Sequence, residues 1–316
     1  MEKTLAFLEK NIGKKVKTNA RLNELSTFKI GGQAEYFTQA KNSQELIKAI
    51  KTADKAEIPY RVIAGGSNLV FTDGQLKGLL IKIVGGEIKT KNKTITTSAG
   101  IPLAKLISLS INHGLKGLET LSGIPGTVGG AIVGNAGAYG HSISETLDSI
   151  EIFNGKSIYW LKKSDCRFGY RDSIFKHKPW IILSGKFLFK TGNAAQLKKT
   201  SKEIIKLRLK KYQPDLKCPG SFFKNILVKD VSKKSLNLID KSKIIEGKLP
   251  AGWLLEQVGA KGLGVGKIVI SSWHANLFIN RGNGRGRDVK NLANILKRKV
   301  KNKFGITLEE EIRYIK

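Results

Sequence analysis

Apolar and polar residues along the chain alternate in periods that predict short strands and amphipathic helices in turn. A short N-terminal helix comes first, and two strand-like runs separated by glycines follow at 23–37. The next helix is capped near Asn42 or Ser43, and a later helix opens at Pro102. Further strands are predicted at 60–64, 79–84 and 93–98. This mixture of periods indicates a chain with both sheets and helices.

The second half of the chain shows the same kind of pattern. Strand patterns fill 148–190, and Ala194 to Tyr212 form a long lysine-rich helix that contains the main predicted domain boundary. Beyond it we predict strands at 268–272 and 275–280, a helix from Asp288 to Lys303 and a strand-like tail at 306–316. The tract RGNGRGR (281–287) resembles an RNA-binding segment by composition, but its place before a helix capped by Asp288 favours a connecting loop.

Composition changes the picture in one respect, which is charge. The 316 residues include 56 Lys plus Arg against 25 Asp plus Glu, a formal net charge of +31 that invites a nucleic-acid hypothesis. The lysines are spread over every segment instead of forming one stripe, so we expect solvated faces and no dedicated nucleic-acid site. A basic surface still attracts anionic nucleotides and raises their encounter rate.

Other totals limit the class of protein. Cys166 and Cys218 have no Cys or His neighbour at metal-ligand spacing, so we predict no metal site. The N-terminus mixes charge into each short apolar run, unlike a secretory signal, and no apolar stretch approaches the roughly 18 residues that span a bilayer. We therefore expect a cytoplasmic protein without a membrane span.

Two glycine-rich segments, 64–68 and 123–140, carry the first candidate chemistry. Each interior glycine of a packed helix or strand costs roughly 0.5 to 1 kcal/mol relative to alanine, so this density needs another reason. Bare backbone N–H groups approach phosphates closely, which makes a pyrophosphate the natural ligand, and the apolar residues 131–133 are suited to face an isoalloxazine ring. Tight turns without a ligand are the alternative.

Nucleotide-binding motifs of other kinds do not fit. No G-x-G-x-x-G lies between a strand and a helix with an acidic residue about twenty positions on, as a Rossmann site requires. The segment KGLGVGK (261–267) has glycine spacing too short for a phosphate loop, and Ile268 stands where Ser or Thr would bind magnesium. We interpret it as turn glycines ahead of a strand.

Three stretches place polar residues in apolar or glycine-bounded surroundings: 168–176, 219–225 and 308–315. Each has an ordinary interpretation. Arg171 suits a surface ion pair, Ser221 a turn, and Glu311 a solvated strand carboxylate. Spacing alone does not decide between these roles and catalysis.

Eight ordered blocks resemble the UDP-N-acetylenolpyruvoylglucosamine reductase family over nearly the whole chain. They are TFKIGG (27–32), GGSN (65–68), GIPGTVGGA (123–131), NAGAYG (135–140), FGYRDSIFK (168–176), GSFFKN (220–225), AGWLLEQ (251–257) and LEEEIR (308–313). The resemblance implies an α+β chain, with an FAD-binding fold of the vanillyl-alcohol oxidase type followed by a smaller α/β substrate domain. It divides the chain into an N-terminal part of the FAD region (1–59), the FAD domain (60–200), the substrate domain (201–305) and a C-terminal strand returning to the active site (306–316).

The resemblance also implies a reaction. NADPH reduces non-covalently bound FAD, and the hydride then passes to C3 of UDP-N-acetylglucosamine enolpyruvate to give UDP-N-acetylmuramate for peptidoglycan precursors. By similarity Ser221 protonates C2, while Arg171 and Glu311 stabilise the enol or enolate. Lys224 and the turn at Gly220 are our candidates for lowering the cost of a serine alkoxide. The residues expected to bind FAD are Gly65, Gly66, Ser67, Asn68, Pro125, Gly126, Thr127, Gly129, Gly130, Asn135, Ala136 and Gly137.

Substrate positions follow from the same resemblance. They are Tyr170, Asn225, Lys261 and His274, although a histidine at the end of a strand is equally consistent with a structural role. Two departures affect the approach to Ser221: QPDLKCPGS is one residue shorter than is usual, and Ile226 replaces a proline. The chain resembles the shorter branch of the family, which lacks a tyrosine-bearing lid loop. A monomer is expected.

Two other classes of protein stay open on the sequence. One is an FAD-dependent alcohol or sugar oxidase of the same fold, and the other is a nucleic-acid binder driven by charge. No histidine occurs at 61–73 to attach a flavin covalently, so any FAD should be released on denaturation.

Overall fold

The structure is a computed structural model, and it describes residues 2–316. This part of the chain contains eight α-helices. They are α1 (Glu2–Ile12), α2 (Ser43–Lys55), α3 (Leu103–Asn112), α4 (Val128–Val133), α5 (Ala194–Lys211), α6 (Lys233–Leu236), α7 (Ala251–Gln257) and α8 (Gly286–Phe304).

Twenty strands, most of them short, occur in the same described residues. They are β1 (Lys17–Arg21), β2 (Gln33–Ala40), β3 (Tyr60–Ile63), β4 (Leu69–Phe71), β5 (Gln75–Ile83), β6 (Ile88–Lys91), β7 (Thr94–Ser98), β8 (Leu115–Lys116), β9 (Gly137–Ala138), β10 (His141–Ser142), β11 (Leu147–Phe153), β12 (Ile158–Lys162), β13 (Ile181–Leu188), β14 (Lys190–Thr191), β15 (Ile226–Leu227), β16 (Lys248–Leu249), β17 (Gly264–Val265), β18 (Ile268–Ile270), β19 (Phe278–Asn280) and β20 (Arg313–Ile315).

Residue contacts divide the chain into two compact units. Unit 1 comprises 1–20, 34–65 and 77–210, and unit 2 comprises 21–33, 66–76 and 211–316. Each unit has its own hydrophobic core. The four domain segments predicted from the family resemblance (1–59, 60–200, 201–305 and 306–316) are defined by function and stay a prediction.

Unit 1 is built on two sheets. One has the strand order β1-β2-β5-β3, with β3 and β5 parallel, and the other is an antiparallel sheet of order β12-β11-β13-β7-β6. Helix α2 begins after Asn42, whose side chain accepts a hydrogen bond from the Glu45 N–H, so its predicted cap is confirmed. Helix α3 follows Pro102, also as predicted.

Unit 2 contains a three-stranded antiparallel sheet, β17-β18-β19, and the parallel pair β4 and β20. Helix α8 buries Val289, Leu292, Ala293 and Leu296 at helical spacing, and it ends at Gly305 in the left-handed conformation (φ 68°). The preceding residues form a loop, as predicted for the arginine-rich tract.

Several predicted boundaries were wrong. Helix α8 begins at Gly286, because the Asp73 carboxylate accepts the N–H groups of Gly286 and Arg287 at 2.5 and 3.0 Å. Asp288 is therefore not the N-cap residue but lies in the first turn, where its carboxylate accepts the Arg285 N–H at 3.3 Å. The expected strand before Gly31 is instead a 3-10 turn, Leu22–Leu25. Strands β18 and β19 are shorter than predicted, because the Ser271 hydroxyl accepts two backbone N–H groups and forms a turn between them.

Candidate active site

The two glycine-rich segments meet inside unit 1. A Cβ atom added to Gly65 would lie 2.8 Å from the Cα of Gly126, and one added to Gly129 would lie 2.7 Å from the Cβ of Ala99. Side chains at either position would force the backbone apart. The two segments therefore belong together, as predicted, and their mutual packing explains part of the glycine content.

The second segment is partly helical, which the sequence argument did not anticipate. Thr127 caps α4 by accepting the Gly130 N–H at 3.3 Å, so the hydroxyl proton of Thr127 can be donated elsewhere. Ile132 is fully buried in the core of unit 1 and Ala131 is nearly so. Val133, the last of these three apolar residues, is half-buried, and the expectation that the stretch faces an isoalloxazine ring stays a prediction.

Asn135 supplies the observation that tests whether unit 1 suits FAD. Its side-chain N–H donates to the Gly169 carbonyl at 2.8 Å, while its Oδ1 is buried and accepts no hydrogen bond from any described residue. A buried acceptor without a partner costs about 1–3 kcal/mol. The hydroxyl and imide N–H groups of FAD are donors of the kind this oxygen lacks, so the residues fit the cofactor.

The predicted FAD residues are divided between the units along the chain. Most of them, from Gly65 and the 125–137 segment, are in unit 1, whereas Gly66, Ser67 and Asn68 are in unit 2. Within unit 2, Gly66 is left-handed (φ 68°), and a Cβ there would lie 2.0 Å from the Leu25 carbonyl oxygen. Only glycine fits this bend.

Arg171 contacts the predicted FAD segment directly. Its Nη2 donates to the Gly137 carbonyl oxygen at 2.6 Å, and its guanidinium carbon lies 5.3 Å from the centre of the Tyr170 ring. The backbone of Arg171 is left-handed (φ 54°), which costs a non-glycine residue about 1–2 kcal/mol. Strain of this kind is concentrated at functional sites, where surrounding contacts maintain it.

Ser221 and Glu311 lie on neighbouring extended segments of unit 2. Between them, the Glu311 N–H donates to the Phe222 carbonyl at 2.8 Å, and the Lys224 N–H donates to the Glu309 carbonyl at 2.9 Å. In this antiparallel register Glu311 lies opposite Phe222, the residue that follows Ser221. The structure thus places two of the three predicted catalytic residues on paired segments of one unit.

The Ser221 hydroxyl has two polar side chains as partners. Lys211 Nζ lies 3.1 Å and Tyr212 Oη lies 3.0 Å from Ser221 Oγ. A cation at hydrogen-bond distance favours the alkoxide form and so makes serine a stronger acid. Lys224, our candidate for this task, instead forms an ion pair with Glu309, so that assignment was wrong.

Asn68 links the GGSN bend to Glu311. Its side-chain N–H donates to the Glu311 carbonyl at 3.0 Å, and its own carbonyl accepts the Arg313 N–H at 3.0 Å. These bonds extend the parallel pairing of β4 with β20. A residue predicted to bind FAD therefore also holds the backbone of a residue predicted to act on the substrate.

The predicted substrate residues of unit 2 have defined environments. Asn225 accepts the Ala251 N–H at the start of α7 (3.2 Å), and Lys261 pairs with Glu256 at 2.9 Å. Burial, together with the positive charge of Lys211, lowers the pKa of His274 to about 4. His274 is therefore neutral at pH 7, and its Nδ1 accepts the Asn276 N–H at 3.1 Å.

The shortened approach to Ser221 is tied to its surroundings at two points. The Thr27 hydroxyl donates to the Cys218 carbonyl at 2.8 Å, and the Asn280 N–H donates to the Lys217 carbonyl at 3.0 Å. Gly220 then turns the chain in the left-handed conformation (φ 86°). Both cysteines are buried and free.

Three residues at this site were missed by the sequence argument. Lys211 and Tyr212 end a helix that contains many similar lysines, and Asn276 lies in the apolar run 275–280. Asn276 alone carried a signal in the sequence, as an isolated polar residue within the apolar run. A buried amide must find hydrogen-bond partners, so such a residue points to a structural contact.

Comparison with known proteins identifies the family of this chain. Residues 34–157 match the FAD binding domain family, and residues 213–315 match the family described as UDP-N-acetylenolpyruvoylglucosamine reductase, C-terminal domain. The UDP-N-acetylenolpyruvoylglucosamine reductase of Solibacter usitatus is 40% identical over 301 residues, covering 95% of this chain and 96% of that protein. The Anoxybacillus flavithermus protein of the same name is 32% identical, covering 98% of this chain and 97% of its own length.

A solved structure gives the same result for the fold. The crystal structure of UDP-N-acetylenolpyruvylglucosamine reductase from Thermus caldophilus matches with a TM-score of 0.73 and 29% identity, covering 96% of this chain and 98% of that chain. An FAD-binding domain followed by this C-terminal domain defines an FAD-dependent oxidoreductase, and the predicted fold class is confirmed. The chain belongs to the UDP-N-acetylenolpyruvoylglucosamine reductase family.

The described residues also bear on membrane spans and metal sites. Within residues 2–316, none of the helices combines the length and the apolar character needed to cross a membrane. The same part of the chain has no group of three or more His, Cys, Asp or Glu side chains placed to hold a metal ion.

Proposed function

We propose that this chain reduces the enolpyruvyl double bond of UDP-N-acetylglucosamine enolpyruvate, with NADPH as electron donor, and so forms UDP-N-acetylmuramate for peptidoglycan synthesis. The contact of Ser221 Oγ with Lys211 and Tyr212 is the observation that carries this proposal. A hydroxyl supported by a cation is suited to give a proton to a carbanion-like carbon. Bound FAD would supply the hydride-transfer chemistry between NADPH and the substrate.

The protein supplies the proton and the charge stabilisation. Ser221 donates its proton to C2 of the enolpyruvyl group, and the ammonium group of Lys211 stabilises the alkoxide that remains. Arg171 and Glu311 act on the enol or enolate, with Arg171 offering its guanidinium N–H groups to developing negative charge. Tyr212 returns a proton to Ser221 through the 3.0 Å contact and takes up a proton from solvent in its turn.

Binding is assigned to the remaining predicted positions. The backbone of Gly65, Gly66, Ser67 and the 125–130 turn would hold the pyrophosphate of FAD, and the Asn135 side-chain oxygen would accept a hydrogen bond from the cofactor. Tyr170, Asn225, Lys261 and His274 bind the nucleotide sugar, His274 as a neutral donor through Nε2 because its Nδ1 is already an acceptor. The four predicted sequence segments are the corresponding domains, and we expect a monomer that works in the cytoplasm.

The test is steady-state NADPH oxidation by the purified protein. We expect oxidation that depends on the enolpyruvyl nucleotide and yields one UDP-N-acetylmuramate per NADPH consumed. Denaturation should release all of the FAD, since no covalent attachment is expected. NADPH-independent turnover of an alcohol or sugar with oxygen, or flavin retained on the denatured chain, would replace the proposal with the oxidase alternative.

A further inference from the structure

The segment that carries Ser221 is held by a buried side chain with no role in the proposed chemistry. Asn276 is only 3% exposed. Its Oδ1 accepts the Phe223 N–H at 2.8 Å, and its Nδ2 donates to the Phe223 carbonyl at 2.8 Å. Its main-chain carbonyl accepts the Phe222 N–H at 3.0 Å. Asn276 therefore makes three hydrogen bonds to the two residues that follow Ser221.

The Asn276 side-chain amide binds Phe223 at the point where backbone pairing with the neighbouring segment ends. Ser221 pairs with Leu277, and Phe222 donates to Asn276, in one antiparallel register. The chain before Asn276 then leaves that register in a turn, where the Leu277 N–H donates to the His274 carbonyl at 3.1 Å. The Asn276 side chain continues the pairing by one residue, to Phe223.

The other edge of the same segment pairs with the C-terminal tail. There the Glu311 N–H donates to the Phe222 carbonyl at 2.8 Å, and Phe223 forms a bridge with Glu310. The residues that follow Ser221 are thus fixed from both sides, and Glu311 takes its position from the same backbone. A slip of one residue would turn every side chain to the opposite face.

We propose that Asn276 is the positioning residue that sets the register of the Ser221 segment, and through Phe222 the place of Glu311. This inference rests on the proposed function of Ser221 and Glu311. At neutral pH an amide offers both a donor and an acceptor in one planar group, whereas an ionised carboxylate of the same size offers acceptors alone. An aspartate retains the acceptor for the Phe223 N–H but places a second oxygen against the Phe223 carbonyl.

The chain offers a matched control four residues further on. Asn280 is 4% exposed, its Nδ2 donates to the Phe28 and Lys29 carbonyls at 3.0 and 3.1 Å, and its Oδ1 accepts the Gly282 and Gly284 N–H groups at 2.9 and 3.0 Å. Asn280→Asp therefore makes the same chemical change at equal burial. These hydrogen bonds of the Asn280 side chain lie outside the Ser221 segment, and the backbone N–H of Asn280, which binds the Lys217 carbonyl, is kept by the substitution.

The experiment measures both half-reactions of FAD-loaded Asn276→Asp and Asn280→Asp across pH. At neutral pH we expect the reduced FAD of Asn276→Asp to be reoxidised by the enolpyruvyl nucleotide about tenfold or more slowly than that of wild type, because the Phe223 carbonyl loses its buried hydrogen-bond donor. The rate of FAD reduction by NADPH should be unchanged. As the pH falls the new carboxyl gains an O–H donor, and the rate should recover relative to wild type at the same pH. Dividing the variant rate by the wild-type rate at each pH cancels the effect of His274, which is present in both proteins. Asn280→Asp should show neither effect.

Hydrogen exchange provides a readout that does not need turnover. The amides of Phe222 and Phe223 should exchange faster in Asn276→Asp at neutral pH, and their protection should return on acidification. Equal slowing in both variants, or no recovery at low pH, would overturn the proposal. So would loss of folding and FAD in both Asn276→Asp and Asn276→Ala but not in Asn280→Asp, since Asn276 would then be structural. Inactive wild type with the expected exchange pattern would count against the proposed function alone.

Discussion

Lys211 Nζ lies 3.1 Å from Ser221 Oγ, and this contact joins the end of α5 to the GSFFKN block within unit 2. The Lys211 carbonyl is itself held by the Trp273 indole N–H at 2.9 Å. This bond fixes the backbone of Lys211, from which the side chain reaches the Ser221 hydroxyl. The positive charge of Lys211 stabilises the alkoxide of Ser221 and so makes its hydroxyl a stronger acid.

Removing the hydroxyl should separate the two half-reactions. Ser221→Ala should reduce FAD with NADPH at the wild-type rate and slow substrate reduction by about 100-fold or more, as expected when an interaction of the transition state alone is lost. Rapid-mixing absorbance of the flavin measures both steps. Ser242→Ala, at an exposed serine, is the control. Equal loss of both half-reactions would argue against Ser221 as the proton donor.

Removing the cation should weaken the acid without abolishing it. Lys211→Met keeps the aliphatic stem but loses a charged hydrogen bond of about 1.5–3 kcal/mol, so substrate reduction should slow about 10- to 100-fold. The neighbouring exposed residue provides the matched variant, Lys210→Met, which should behave as wild type. Identical rates in both lysine variants would show that Ser221 does not depend on Lys211.

Glycine packing in unit 1 makes a separate prediction about FAD. Gly65→Ala places a Cβ 2.8 Å from the Gly126 Cα, and overpacking of this kind costs about 1–3 kcal/mol, so FAD affinity should fall about tenfold or more. Fluorescence titration of the apoprotein with FAD measures this. Gly74→Ala meets no atom within 4 Å and is the control. Unchanged FAD affinity in Gly65→Ala would contradict the role of this contact.

The partly buried His274 predicts a pH dependence of stability. Its pKa in the folded protein is lowered to about 4 from 6.5, so the unfolded chain binds more protons between these values. The contribution of neutral His274 to stability is therefore present above about pH 6.5 and is lost as the pH falls toward 4. Urea unfolding at several pH values should show a smaller loss for His274→Gln than for wild type. An equal loss would contradict the assignment, and His113→Gln, at an exposed histidine, controls for losing a histidine.

Elements governed by their own sequence were predictable. The Asn42 cap, helix α3 and the apolar spacing of α8 follow from residues within a few positions of one another. The start of α8 was not predictable, because Asp73, 213 positions before Gly286, satisfies its first N–H groups. No local pattern carries that information.

The candidate site divides in the same way. The glycine segments were found because so many glycines conflict with ordinary packing, whereas Lys211 has no sequence feature that distinguishes it from Lys210. Lys224, the lysine we named as the candidate, pairs with Glu309 in the tail. Such long-range pairings decide which of many similar side chains reaches a site.

The most direct test of the central claim is an anaerobic absorption spectrum of the purified protein, recorded before NADPH, after NADPH, and after addition of the enolpyruvyl nucleotide. The account predicts a flavin band that NADPH bleaches and that the nucleotide restores in equal amount. A protein with no flavin band, or a bleached band that the nucleotide leaves unchanged, would contradict it.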